Sequence, residues 1–250
     1  MTIPTPVIQL PFTVQNASGY TLGSPSLLTP MFYSLAEPLA DGHWLFGTDN
    51  PGITDLIAGA AMTPFSTSPT ESAGYLTMSG LEGGIYSPFL DATEQTIICT
   101  HQKIAYSGLG STVVSIMGCW DQANSLGQLL YIDSSGYEIN THGANYGKTT
   151  VPPPSGAATG AWIFGAVSQS NNATQRQVYW GNGSLTQQVV TKSSAAHDTY
   201  LQDNGLFNPA ANTLSVAEFI HFSFALSATQ LASVYARSKV RLAARGITVY

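Results

Sequence analysis

Arg176-Gln-Val-Tyr-Trp-Gly-Asn182-Gly183-Ser-Leu-Thr-Gln-Gln-Val-Val190 is the stretch on which the fold turns. Asn-Gly takes the two positive φ angles of a type I′ turn, so two antiparallel strands are expected on either side of it. Outward from this hairpin, short apolar-rich runs alternate with turn residues at the spacing of a sandwich. The expected strands are Tyr75 to Met78, Gly84 to Phe89, Thr96 to His101, Thr112 to Cys119, Gln128 to Asp133, Tyr137 to Thr141, Ala161 to Ser168, Gln175 to Trp180, Leu185 to Thr191 and Ser215 to Phe224. Gly-Gly, Ser-Gly and Pro-Pro-Pro breakers separate them, and Thr149 to Gly160 is the longest low-complexity loop.

One helix is expected, opening at Ser227-Ala-Thr-Gln230, where Ser227 caps and Gln230 stands at the return position of a capping box. Leu231, Val234, Tyr235, Ser238 and Leu242 fall on one face, which is expected to lie on a sheet, and Gly246 ends the helix. Arg237, Arg241 and Arg245 fall on another face and read as a solvated stripe that complements the negative C-terminal end of the helix dipole.

The 250 residues are 44% hydrophobic and only 9% charged, against roughly 25% charged in an average soluble domain. The surface is therefore expected to be covered by hydroxyls, amides and glycine. The formal charge is -6, and eight carboxylates precede Lys103, the first basic residue. An acidic first part argues against partners recognised through clustered cations, so neither nucleic acid nor an anionic membrane is expected. No basic n-region with an apolar run opens the chain, and no segment approaches 18 uninterrupted apolar residues, so neither a signal peptide nor a membrane span is expected. Cys99 and Cys119 lie in separate expected strands and pair only if those strands are neighbours; otherwise they read as two free buried thiols.

Five prolines (Pro4, Pro6, Pro11, Pro25 and Pro30) fall in the first thirty residues, and the first forty hold no basic group and one acid, Glu37. This forbids helix and interrupts ladders, so residues 1–40 read as an extended arm with short strand pieces such as Val7 to Leu10. The arm either anchors the chain to a neighbour or oligomer, or serves as an N-terminal strand on its own domain, residues 41–250.

Four passages resemble the laminin-G-like branch of the concanavalin-A-like lectin and glucanase superfamily over about residues 41–243. They are His43-Trp44-Leu45-Phe46-Gly-Thr-Asp49 with Ile53-Thr-Asp55-Leu; Tyr75-Leu-Thr-Met-Ser-Gly80-Leu-Glu-Gly83-Gly84-Ile-Tyr86; Ala161-Trp162-Ile-Phe164-Gly-Ala166-Val with Val178-Tyr179-Trp180-Gly-Asn182-Gly183; and Phe224-Ala225-Leu226-Ser227-Ala-Thr-Gln-Leu231-Ala-Ser-Val234-Tyr235. The resemblance implies an all-β, two-sheet jelly-roll sandwich with one C-terminal α-helix. Free-standing domains of this kind, with a Pro-rich arm and few charges, resemble those of tail fibres, baseplates and other virion parts of tailed bacteriophages. That likeness implies a structural or attachment protein, released by lysis, with other virion proteins, a host glycan and copies of itself as partners. A stand-alone lectin is the rival expectation, and a glycan-degrading enzyme a third.

Glycan binding needs an aromatic face for a pyranose and amides or carboxylates for its hydroxyls. Trp120-Asp121-Gln122-Ala-Asn124 and Asn140-Thr-His142-Gly-Ala-Asn145-Tyr146 combine these groups, so Trp120, Asp121, Asn124, Asn140, His142, Asn145 and Tyr146 are the candidate glycan contacts. The competing reading packs Trp120 into the core and uses Tyr146 as a loop anchor. The resemblance also implies calcium at the sandwich rim, for which Asp121, Asn124 and Asp133, or Asp198 and Asp203, are the hard-oxygen candidates; ordinary Asp and Asn turn chemistry competes with it. No cofactor is required by either reading.

Catalytic signatures are not found. The superfamily's glucanases carry paired carboxylates as E-x-D-x-x-E, and no such run occurs here. Asp91 and Glu94 read as surface charges in an approach loop, and Glu218 as a partly buried or hydrogen-bonded carboxylate in a strand. G-x-S-x-G, H-E-x-x-H and G-x-x-x-x-G-K-[ST] do not occur, and His43, His101, His142, His197 and His221 stand singly. His101 and His221 are expected as hydrogen-bonded strand residues.

Overall fold

A computed structural model describes residues 14–15, 21–22, 36–48, 50, 53–65, 68–78, 83–105, 114–121, 126–133, 135–140, 148–153, 155–170, 175–182, 184–191, 203–208 and 213–250. The chain divides into two compact units, residues 1–35 and 36–250. In the first, β1 (Val14–Gln15) pairs antiparallel with β2 (Thr21–Leu22). The expected strand from Val7 to Leu10 lies outside the described residues.

The second unit contains β3 (Gly42–Leu45), β4 (Thr63–Pro64), β5 (Thr70–Ser72), β6 (Tyr75–Met78), β7 (Gly83–Leu90), β8 (Gln95–Gln102) and β9 (Val114–Asp121). There follow β10 (Leu126–Asp133), β11 (Gly136–Asn140), β12 (Lys148–Thr150), β13 (Trp162–Gln169), β14 (Gln175–Asn182), β15 (Ser184–Thr191), β16 (Asp203–Asn208), β17 (Leu214–Phe222) and the helix α1 (Ala228–Ala243). A seven-stranded sheet runs β12-β11-β10-β9-β16-β7-β4, and an eight-stranded sheet runs β15-β14-β13-β8-β17-β6-β5 with β3 also paired to β17. Every ladder is antiparallel. This is the expected two-sheet sandwich with a C-terminal helix, and β14 and β15 pair antiparallel as expected, though with Asn182 opposite Ser184 where a two-residue Asn-Gly turn would set Gly181 opposite Ser184; residue 183 lies outside the described residues.

Two apolar layers explain why β8 and β17 are buried along almost their whole length. Between the sheets lie Trp44, Leu76, Ile85, Cys99, Ile116, Leu130, Tyr137, Trp180 and Phe219. On the other face of the eight-stranded sheet, Ile98, Phe164, Tyr179, Ala217 and Ile220 pack under Leu231, Val234, Tyr235 and Leu242 of α1. A strand covered on both faces is apolar at consecutive positions, as at Ile97-Ile98-Cys99 and Phe219-Ile220, and the polar residues among them, such as Glu218, are buried too. Ser227 caps α1 with its side chain on the Gln230 amide, and Gln230 returns to the cap backbone, closing the box. Gly181 is required beneath the helix, because a Cβ there would meet the Tyr235 ring at 2.4 Å.

The arginine stripe departs from expectation at Arg241, while Arg237 is exposed as read. Arg241 is buried, donating from Nη1 to Glu37 Oε2 (2.8 Å) and from Nε to Glu218 Oε1 (2.9 Å). Arg237 pairs with Glu37 Oε1, and Arg245 donates to the Phe46 carbonyl. The acids that hold these cations come from 200 and 23 residues away in sequence, so helix periodicity alone reads them as solvated.

Candidate functional site

Register brings many chain reversals to one end of the sandwich. In the seven-stranded sheet, the end of β9 faces the start of β10 (Asp121 opposite Leu126), the end of β11 faces the start of β12 (Asn140 opposite Lys148), and the end of β7 faces the start of β16 (Leu90 opposite Asp203). In the eight-stranded sheet, the start of β8 faces the end of β13 (Gln95 opposite Gln169) and the end of β17 (Thr96 opposite Phe222). A small cavity lies between the sheets, against the ends of β8 and β13 on one side and the middles of β9 and β10 on the other. It is lined by Gln95, Ile97, Val167 and Gln169 of one sheet and by Met117, Leu130 and Ile139 of the other.

Two buried glutamines tie the loop from Asp91 to Glu94 onto this end. Gln95 Nε2 donates to Asp91 Oδ1 (2.8 Å), Gln95 Oε1 accepts from the Ala92 amide (3.2 Å), and Gln169 Nε2 donates to the Ala92 carbonyl. Asp91 is thus buried and hydrogen-bonded, correcting its reading as a surface charge, while Glu94 is exposed. The Gln169 Oε1 atom is buried without a hydrogen-bond partner.

His221 lies near the same end, stacked on Phe89 with ring centroids 4.4 Å apart and planes 2° from parallel. Burial lowers its pKa to about 4, against the pull of Asp41 and Asp91. The nearest carboxylate oxygen, Asp41 Oδ2, is 3.9 Å from Nδ1, beyond hydrogen-bond reach. The side-chain hydrogen bonds expected of His221 are replaced by stacking. His101 is held among rings, 6.1 Å from Tyr137 and 6.3 Å from Trp180 between centroids, and burial brings its pKa to about 4 against the pull of the Cys99 backbone.

Of the candidate glycan contacts, Trp120 and Asp121 end β9 and Asn140 ends β11, on either side of β10. Trp120 is opposite Gly127 and Asn140 opposite Leu129, so their backbones are about 12 Å apart at ordinary strand spacing and rise. Asn124, His142, Asn145 and Tyr146 lie outside the described residues, and so do His197 and Asp198. Asp203 opens β16 opposite Leu90.

Asp133 ends β10 at the opposite end from Leu126, about 24 Å away at the rise of an extended strand. Its Oδ1 accepts from the Ser135 amide (2.7 Å), a turn contact. The expected calcium set of Asp121, Asn124 and Asp133 is corrected accordingly, because Asp133 cannot converge with Asp121. Among the described residues no group of three acids, histidines or cysteines forms a metal site. Cys99 and Cys119 are both buried and are not joined in a disulfide.

An ordered acid–base cluster is sealed beneath α1. His43 Nδ1 accepts from the Glu37 amide (2.8 Å), which leaves Nε2 as the donor to Glu218 Oε1 (3.0 Å). Burial lowers the His43 pKa, and Glu218 opposes it. Burial alone would raise the Glu218 carboxyl, but Arg241 and His43 outweigh it and hold it at about 2. Glu218 is therefore a buried ion-paired carboxylate that no substrate reaches, since His43 and Glu218 are both 0% exposed. Sequence reading missed the paired glutamines Gln95 and Gln169, because nothing in their spacing signals that β8 and β13 are neighbours.

No family model and no curated protein matches the chain. Solved structures do. The botulinum neurotoxin serotype D binding domain matches with a TM-score of 0.59 at 14% identity, covering 85% of this chain and 53% of that one. The serotype D ligand binding domain in complex with N-acetylneuraminic acid matches with a TM-score of 0.56 at 14% identity, covering 83% and 52%. A mutant of Trypanosoma rangeli sialidase displaying trans-sialidase activity matches with a TM-score of 0.59 at 10% identity, covering 81% and 33%. The chain thus spans about half the length of the neurotoxin domains and a third of the sialidase. At these identities the likeness is one of fold.

Proposed function

We propose that this chain is a carbohydrate-binding module of the concanavalin-A-like type that meets host surface glycans at the loop end of its sandwich, as an attachment protein of a bacteriophage particle. The observation that carries the reading is the strand order: β9, β10 and β11 are neighbours, so the segments that begin at Trp120-Asp121 and at Asn140 leave the sheet at the same end. Trp120, Asp121 and Asn140 then fall at one end of the seven-stranded sheet, an aromatic, a carboxylate and an amide of the kinds that a pyranose requires. The likeness to receptor-binding domains, one of them in complex with N-acetylneuraminic acid, supports the sugar class. The low charge and the Pro-rich first thirty residues support the virion setting, with the N-terminal unit as its anchor.

The test is binding of the purified protein to a broad panel of bacterial surface glycans, with calcium and with chelator. Saturable binding lost in Trp120→Ala and Tyr146→Ala is expected. Binding to no glycan, with the protein eluting as a defined oligomer, refutes the lectin reading in favour of a packing subunit.

A further inference from the structure

Each of the two large sheets ends in two edge strands, and three of these four edges are blunted. β4 is two residues long and holds Pro64, β5 is three residues long and holds Glu71, and β12 is three residues long and holds Lys148. Shortness, a proline and a charge are the devices by which a sheet edge avoids pairing with another chain. β15 has none of them. It runs for eight residues, Ser184-Leu-Thr-Gln-Gln-Val-Val-Thr191, without a charge, a proline or a glycine. Its register with β14 is unbroken from Gln175 opposite Thr191 to Asn182 opposite Ser184, so no bulge turns the edge away. α1 packs on a face of this sheet, over Phe164 and Tyr179, and among the described residues no strand pairs with the outer edge of β15.

The outer edge of a strand is a row of N–H and C=O groups whose ordinary partner is another strand. The sequence of β15 fits a second copy of itself. Self-pairing sets every residue of the strand opposite an uncharged one, so no like charges meet. Its Ser, Thr and Gln side chains each carry a donor and an acceptor and complement themselves, as an isologous interface requires. Lys192 follows the strand in sequence. A parallel pair would bring its two copies side by side, whereas an antiparallel pair sends them to opposite ends. A two-fold axis normal to the sheet sets residues of one face opposite each other only when it stands level with a residue, so pairing centred on Gln187 or on Gln188 overlaps all but one residue of the strand. We infer that β15 is the interface of a symmetric dimer, in which the eight-stranded sheets of two copies join edge to edge into one continuous antiparallel sheet. The inference goes beyond the proposed function and stands whether or not the loop end binds glycan.

Two measurements test it. The first combines sedimentation equilibrium of the full chain with hydrogen exchange read peptide by peptide, and it needs no variant. A monomer–dimer equilibrium is expected, with exchange in Ser184–Thr191 slowing as concentration rises. A monomer at every concentration, or a dimer that protects another segment instead, overturns the interface. The second uses Gln187→Lys and Gln187→Glu, each of which sets like charges opposite or diagonal to one another across the axis. Either variant alone is expected to raise the dimer Kd about fivefold at low salt, and an equimolar mixture of the two to restore wild-type affinity. Variants that dimerise as the wild type does, or a loss that mixing does not repair, overturn the edge pairing. Capture of a different chain on β15 by a protein that stays monomeric overturns the dimer and gives the edge to another partner.

Discussion

Replacing Arg241 with Met is the sharpest perturbation of this fold. The guanidinium donates to Glu37 Oε2 at 2.8 Å, to Glu218 Oε1 at 2.9 Å from Nε and 2.8 Å from Nη2, and to Ser238 Oγ at 3.1 Å. Its loss leaves Glu37 with Arg237, but leaves Glu218 with no cation, only the neutral His43 and the Ser238 hydroxyl. An uncompensated buried carboxylate costs about 3–5 kcal/mol. For a domain of this size, each kcal/mol moves Tm by roughly 2–4 °C, so the melting point is expected to fall by roughly 6–20 °C. Adding Glu218→Gln removes the stranded charge and leaves a neutral amide beside His43. The double variant is therefore expected to recover about 2 kcal/mol or more of the single variant's loss. Urea unfolding of the four members of the cycle measures this directly. Additive costs, or a single-variant loss under about 1 kcal/mol, refute the view that Arg241 and Glu218 neutralise one another in the interior.

Acid lability should follow from the buried imidazoles. His101 and His221 have folded pKa values of about 4 against 6.5, so the unfolded chain binds their protons first. Their contribution is full above pH 6.5 and is lost as pH falls toward 4, about 3 kcal/mol for each. Urea midpoints measured from pH 7 to 4 should fall steeply, and His221→Phe should flatten that slope; an unchanged slope contradicts the assignment. Gly181→Ala drives a methyl into the Tyr235 ring, 2.4 Å from the ideal Cβ position. A loss of about 1–3 kcal/mol is expected in urea unfolding, and Tyr235→Leu in the same background should relieve part of it.

The linear chain determined the elements whose cause is local. The ten strand cores, the antiparallel pairing of β14 with β15 and the Ser227–Gln230 capping box follow from side-chain periods of two and 3.6 and from cap chemistry, which depend on neighbours a few residues away. The site was legible only in part. Trp120, Asp121 and Asn140 could be singled out by side-chain chemistry, but that β9, β10 and β11 are adjacent, and that Asp133 stands at the far end of β10, depends on strand order. Tertiary structure alone decided the rest: it set Gln95 against Gln169, stacked His221 on Phe89, and brought Glu37 and Glu218 to the arginines of α1. Each of those contacts joins residues far apart in sequence, where the burial of a polar group and the identity of its partner are set by which strands and helix come to lie side by side.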